Sequence, residues 1–498
     1  MATPIPKNQA SFAIAEILET TGGALATRGD LGEGERTTEV STDTRAVGPG
    51  ALFVALRGET FDAHDHLEAA VKAGARVLLV ERDVTAPAGA AVVRVRSTLE
   101  ALGALGREHA RRWRALGGVR WTIAITGSAG KTTTRVATQA LLERLHPGEV
   151  HATRGNLNNL VGAPMVLFGL RPEHRYAVVE IGTNRPGEIE ALARMVEPDA
   201  GLITLVAAAH VEELGSIEGV AHEKGALFRA LREDGVAIGN GDSDFVRAQI
   251  EASPARAKVL YGAREGAAVR IAAREPEGMT HSRVTIEVEG QGALEIVTPL
   301  LGEAGAYACA AAISAVTRGL GERVSAEDAN AAFASAEVGG GAGRLVPVLV
   351  GRNVVVVDDS YNANPASMRA SIRAASEIAR AERRRLVLVL GEMRELGAMA
   401  EAGHDEVGRA ALESGAELVI AVGPLASRYT VQLLGSPITH VHVTTAEDAA
   451  VFGREWIMPN DLVLVKGSRG IGTDVVVRAL RAHFGAAAEG ERHLGGTP

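Results

Sequence analysis

The chain has 498 residues, too many for one hydrophobic core, so two to four domains are expected. Its formal net charge of −9 argues against a general binder of nucleic acid or of anionic membranes. A single cysteine, Cys309, excludes an intramolecular disulfide and any multi-cysteine metal site, and no apolar run reaches the length of a membrane span. The N-terminus lacks a signal-peptide core, so a soluble cytoplasmic chain is expected. Glycine and alanine are abundant and aromatics scarce, which predicts helices packed closely on small side chains.

After a polar start, residues 11–20 read as a short helix. Residues 41–82 then read as strand (Ala51–Leu56), loop, helix (His66–Ala73) and strand (Arg76–Val80), a small α/β unit. Its loops carry Ser41, Asp43, Arg45, Gly58, Asp62, His64 and His66. That density suits a polar ligand, and a solvated loop would have the same composition. Residues 98–117 form an amphipathic helix ending in glycines, read as a linker to the next domain.

The stretch Trp121–Leu142, WTIAITGSAGKTTTRVATQALL, carries the clearest chemistry. A five-residue apolar strand breaks at Gly127-Ser128-Ala129-Gly130 and resumes at helical period. Strand, glycine turn and helix start form a phosphate-binding loop, in which backbone N–H groups and the helix N-terminus face an anion. Lys131 is placed to reach terminal phosphates and Thr132 to put a hydroxyl on Mg²⁺. Ile125 stands where the usual eight-residue signature has its first glycine. Strands and helices then alternate, as in a doubly wound parallel sheet: Tyr176–Ile181 ends in Glu180, and Gly201–Val206 precedes His210. Lys224 lies on a helix over Ile217–Leu231. Glu180 and His210 fall beyond strand ends, where a carboxylate and an imidazole could serve Mg²⁺ or simply cap the chain.

Three short alternating runs, Val269–Ala273, Ser282–Val288 and Gly292–Val297, predict antiparallel strands attached to this central domain. Alanine-rich helices follow over about 303–319 and 325–335, with Cys309 as buried filler. The glycines of 338–343 read as a hinge. Beyond them, strands at Val354–Asp358, Leu386–Leu390, Leu418–Val422, His440–Val443 and Leu462–Val465 alternate with helices, a second open α/β domain. Their ends carry DDSYNANP (358–365), Gly391-Glu392-Met393 and Lys466-Gly467-Ser468-Arg469. The last residues read as a frayed tail.

This order of motifs resembles the Mur ligases of peptidoglycan synthesis, over nearly the whole chain from Ser41 to Gly470. STDTR…FVALRGETFDAHDH resembles the family's UDP-binding domain, and ITGSAGKTTT its ATP loop with a shortened glycine pattern, which accounts for Ile125. RGNLNNLVGAP (154–164) resembles the sugar-nucleotide segment and EIGTNRPGEIEAL (180–192) the metal-carboxylate segment. The most discriminating match, DDSYNANPASM, is that of the branch joining D-alanyl-D-alanine to UDP-N-acetylmuramoyl-tripeptide. The fold implied is α/β in three domains. These are a small α/β UDP-binding domain (1–115), a central P-loop doubly wound ATP-binding domain with extra antiparallel strands (116–338), and a C-terminal Rossmann-like open α/β domain (339–485), with a tail at 486–498. The resemblance implies an ATP- and Mg²⁺-dependent ligase working through an acyl phosphate as a cytoplasmic monomer, with no nucleic acid and no membrane insertion. It places Gly127, Ser128, Ala129, Gly130, Lys131, Thr132 and Thr133 on ATP, with Arg344 and Asp359 reaching ATP from the C-terminal domain. It gives Thr132, Glu180, His210 and Lys224 to the metals, Lys224 as a carbamate, and counts Lys131, Glu180, His210 and Lys224 as catalytic. Ser41, Asp43, Arg45, Asn156, Asn158 and Asn159 would face the UDP substrate, Asn362 and Asn364 the dipeptide and ATP.

Two segments depart from the family. Thr204-Leu205-Val206-Ala207-Ala208-Ala209-His210 replaces a T-N-V-G-P-A-H run, and Gly302-Glu303-Ala304-Gly305 replaces G-R-H-N. The second removes side chains expected near adenine and shifts base recognition to backbone or to the C-terminal domain. Rival readings are a sister ligase adding one amino acid, a folate polyglutamylating enzyme, a simple P-loop kinase, and a non-catalytic nucleotide-binding paralogue.

Overall fold

Five strands, 24–27, 91–94, 77–80, 52–54 and 40–41 in that spatial order, form the first sheet of the computed structural model. The structure describes residues 6–32, 34–334 and 343–486. The first of these strands is antiparallel to its neighbour and the other pairings are parallel. Both faces are covered, as parallel strands require. Leu52, Val54, Val77, Leu79 and Val93 face one core with Phe12 and Ile17, while Phe53, Leu78 and Val92 face another with Leu67 and Ala70. Period-two alternation of fully apolar strands supplies both faces.

The described residues divide into two compact units, one formed by 1–124, 148–183 and 187–199, the other by 125–147, 184–186 and 200–498. The helix read as a linker, Thr98–Ala115, belongs to the core of the first unit. Ser97 caps its start, and Leu102 and Leu105 are buried in one cluster with Met165 and Phe168. Its amphipathic pattern showed an apolar face; the partner on that face comes from residues far along the chain. The same unit holds the parallel pair Val150–Ala152 and Tyr176–Glu180. The strand Trp121–Thr126 runs across the division in the chain.

In the second unit, Ala200–Ile203, Val236–Asn240 and Ala257–Gly262 are parallel neighbours. Val269–Glu277, His281–Val288 and Gly292–Thr298 extend them as an antiparallel meander, as the alternation predicted. Helix Gly302–Ser314 is alanine-rich and packs against Lys131–Leu145 and Pro365–Ala381. The approach is close: a Cβ on Gly302 would stand 2.5 Å from that of Ala374. Cys309 is fully buried there, and burial pushes its thiol up to about 12.

The last sheet has the order 346–350, 354–359, 462–466, 386–391, 418–422, 439–443, all parallel except the first strand. Val346–Val350 was not foreseen. It is a half-buried edge strand, antiparallel to Val354–Asp359, and so lacks the continuous burial that marks its neighbours. Strand 462–466 sits between 354–359 and 386–391, which makes the ends of these three strands the switch point of the sheet. The expected glycine hinge lies outside the described residues, except Gly343, as does the tail beyond Ala486.

Candidate active site

The phosphate loop leaves strand Trp121–Thr126 and enters helix Lys131–Leu145 through two glycines at φ +151° (Gly127) and +82° (Gly130). Gly127 has no room for a side chain: a Cβ would stand 1.9 Å from Thr204 Oγ1. The segment after strand Ala200–Ile203 braces the loop. Thr204 Oγ1 donates to Ala129 O at 2.6 Å, Ser128 N–H to Leu205 O at 2.7 Å, and Ser128 Oγ to Ala207 O at 2.9 Å. At the departure Leu205 the bond to the loop is made by the backbone carbonyl, which Leu supplies as well as Asn. Thr132 is buried in the first helical turn, Thr133 is half-buried, and Lys131 Nζ donates to Gly127 O at 2.7 Å.

Lys224 is not a surface lysine. It is 1% exposed on helix Ile217–Arg229, and burial pushes its ammonium down to about 7. Lys131 nearby pushes in the same direction and Glu223 opposes. Burial therefore favours the neutral amine, the state in which a lysine nitrogen is nucleophilic. His210 opens the short helix Val211–Leu214 at φ +56°, and its Nδ1 meets Glu395 Oε2 at 2.8 Å. That bond holds the Glu395 carboxyl below its ordinary range.

At the ends of the C-terminal sheet, Asp359 and Lys466 are register partners on adjacent strands. Lys466 Nζ donates to Asp359 Oδ2 at 2.6 Å and to Asn362 O at 3.0 Å, and Ser371 Oγ also donates to Asp359. Lys466, a lysine ending an apolar strand before Gly-Ser, was not among the expected site residues, yet it pairs with one of them, Asp359. Arg344 lies 4.0 Å from the centroid of the Tyr361 ring and Arg469 lies 5.1 Å from it. Asn362 Oδ1 accepts from Ala363 N–H. Asn364 caps helix Pro365–Ala381 by accepting from Ser367 N–H, and its Nδ2 donates to Ser128 O of the phosphate loop at 3.3 Å. The DDSYNANP run and the phosphate loop thus touch.

In the first unit, Glu180 ends its strand buried, with its N–H on Thr153 Oγ1 and its Oε1 accepting from Asn158 Nδ2 at 2.8 Å. Asn158 therefore orients Glu180, and Asn159 Oδ1 accepts from Gly162 N–H at the start of helix Gly162–Leu167. Asn156 O accepts from Asn158 N–H. Asp43 and Arg45 form a two-pronged pair, with Ser41 Oγ beside the Asp43 backbone, and that pair holds the Asp43 carboxyl low. His64 is buried with both nitrogens engaged, accepting from Glu81 N–H and donating to Asp62. Its role is to fix the loop. Among the described residues no three His, Cys, Asp or Glu side chains converge as a metal group.

Three family models match in sequence order: the Mur ligase catalytic domain over 36–110, the Mur ligase middle domain over 125–316, and the Mur ligase glutamate ligase domain over 343–469. The UDP-N-acetylmuramoyl-tripeptide–D-alanyl-D-alanine ligase of Escherichia coli K12 is 36% identical over 453 residues, covering 89% of this chain and 93% of its own. The chain belongs to the Mur ligase family. The enzyme of the same name from Bacillus subtilis 168 is 32% identical over 89% of this Mur ligase and 92% of its own length. Among solved structures, MurF from Acinetobacter baumannii superimposes with a TM-score of 0.83 at 31% identity, covering 96% of this chain and all of that one. In this Mur ligase two residues of the departing segment 303–305, Gly305 and Glu303, are held by local packing and pairing. A Cβ on Gly305 would stand 2.4 Å from Leu300 O, and Glu303 pairs with Arg373 at 2.9 Å.

Proposed function

We propose that this protein joins D-alanyl-D-alanine to UDP-N-acetylmuramoyl-tripeptide with ATP, in peptidoglycan precursor synthesis. The observation that carries the reading is the bond from Asn364, within the dipeptide-branch run DDSYNANP, to Ser128 of the phosphate loop. It brings the motif that distinguishes this branch onto the loop that holds phosphate. The terminal carboxylate of the tripeptide attacks the γ-phosphorus, the bond to ADP breaks, and an acyl phosphate forms. The dipeptide amine then attacks the acyl carbonyl, loses a proton, and inorganic phosphate leaves as the amide closes. The first step joins two anions, so the N–H groups of 127–133 and the Lys131 ammonium hold the phosphates and offset their repulsion.

Thr132, Glu180, His210 and a carbamate on Lys224 are the groups that would hold Mg²⁺, which when bound neutralises phosphate charge. Hydroxyl and carboxylate oxygens suit it, since Mg²⁺ takes few protein ligands and fills its shell from phosphate and water. The Lys224 amine, part neutral when buried, adds to carbon dioxide to give a carbamate and a proton, so one buried charge changes sign. Arg344 and Asp359 approach the nucleotide from the C-terminal domain, Asn362 and Asn364 the dipeptide and ATP, and Ser41, Asp43, Arg45, Asn156, Asn158 and Asn159 the UDP substrate. We divide the chain at 1–115, 116–338 and 339–485, and the three family matches fall one in each. The same reading makes it a cytoplasmic monomer. A substrate-omission assay tests the function: phosphate release is expected only with Mg·ATP, UDP-tripeptide and D-alanyl-D-alanine together. Release without the dipeptide, or with a single amino acid in its place, would overturn it.

A further inference from the structure

His210 and Glu395 meet from distant loops, and both are held at positive φ, +56° and +63°. Side chains rarely adopt that backbone, and it persists where the surroundings over-determine it. Two such residues meet in this contact, whose His210 side chain is 23% exposed and whose Glu395 side chain is 62% exposed. The loops also touch through backbone: a Cβ on Gly397, at φ +51°, would stand 3.2 Å from Glu212 Cα. The turn 394–399 therefore lies directly on helix Val211–Leu214. Upstream of His210, residues 204–207 are bonded to the phosphate loop. A chain of short contacts runs from that loop through His210 to the C-terminal sheet.

The chemistry of the pair is directional. A carboxylate has no proton to give, so Nδ1 of His210 carries the hydrogen and donates it. In the neutral ring the free lone pair is then on Nε2, and the ring cannot turn without breaking the bond. Such a partner fixes the orientation of a histidine that works through its other nitrogen.

We infer that Glu395 is a positioning residue for ligation, fixing the His210 ring and making its orientation depend on the seating of turn 394–399. The inference rests on the reading that His210 serves the nucleotide site. The test uses full-length E395A, E395Q, H210A and the double variant E395A/H210A. E395A lowers kcat of dipeptide-dependent phosphate release about tenfold, with KM for UDP-tripeptide unchanged. E395Q, whose amide oxygen still accepts from Nδ1, recovers most of that loss, and the double variant matches H210A alone. Independently of turnover, amide hydrogen exchange at 211–215 and 396–400 rises in E395A while the global thermal midpoint holds. Wild-type turnover in E395A, additive losses in the double variant, or unchanged exchange would each overturn the inference. Full activity in H210A would instead remove the reading of His210 on which it stands.

Discussion

Lys224 offers the most quantitative test of the site. Burial pushes its ammonium down to about 7 in the folded chain, against an ordinary lysine value of about 10.5 when unfolded. Between those values unfolding takes up a proton at this group, so the contribution of Lys224 to stability rises with pH. The penalty of the buried charge is largest below pH 7 and vanishes above about 10.5. Integrating the two titrations gives about 4 kcal/mol of cost at pH 7 and about 2 kcal/mol at pH 9. Lys224→Met keeps the volume and has nothing to titrate. The stability advantage of the methionine variant should therefore shrink by about 2 kcal/mol from pH 7 to pH 9, roughly 2 °C in unfolding midpoint for a chain of this length. Scanning calorimetry of both proteins in buffers freed of carbon dioxide, so that no carbamate forms, measures it. Midpoints of the two proteins that run parallel across this range would refute the argument, because they would mean that Lys224 keeps an ordinary ammonium when folded.

Two other perturbations address the loops. Lys466→Ala leaves the Asp359 carboxylate buried without its cation, and thermal unfolding should show a loss of about 3–5 kcal/mol. The neutral pair D359N/K466M should recover most of it, since both charges then go together. Gly127→Ala puts a Cβ against Thr204 Oγ1 and the Leu205 backbone. Nucleotide affinity measured by titration calorimetry should fall more than tenfold, about 1.4 kcal/mol or more, and wild-type affinity would show that the open glycine is not needed.

Where a feature is written in local pattern, it was legible. The phosphate loop needs only an apolar strand, glycines and a helix start in succession, and Trp121–Leu145 has them in order. The antiparallel meander and the five parallel C-terminal strands likewise follow from alternation and from continuous apolar runs. Features that depend on a distant partner were not legible. Thr98–Ala115 read as a linker because the residues covering its apolar face, such as Met165 and Phe168, lie far along the chain. That Asn158 Nδ2 would donate to Glu180 and Asn159 Oδ1 would accept at a helix start was likewise not readable, because both partners are set by the fold. The departure at Leu205 falls where the phosphate loop bonds the backbone carbonyl, a contact the sequence does not display.

The sequence by itself determined the chemistry available: an anion-binding loop with Lys131, three strand ends rich in polar residues, and a family whose motifs run in the same order. Tertiary structure alone decided which of those groups meet and in what state. Burial took Lys224, by sequence only a lysine on a helix, and pushed its ammonium well below the ordinary lysine range. Strand order put Lys466 beside Asp359, and the seating of turn 394–399 put Glu395 on His210. The physical reason is range. Backbone conformation answers to neighbours within a few residues, whereas desolvation and ion pairing answer to whatever the fold packs against a side chain.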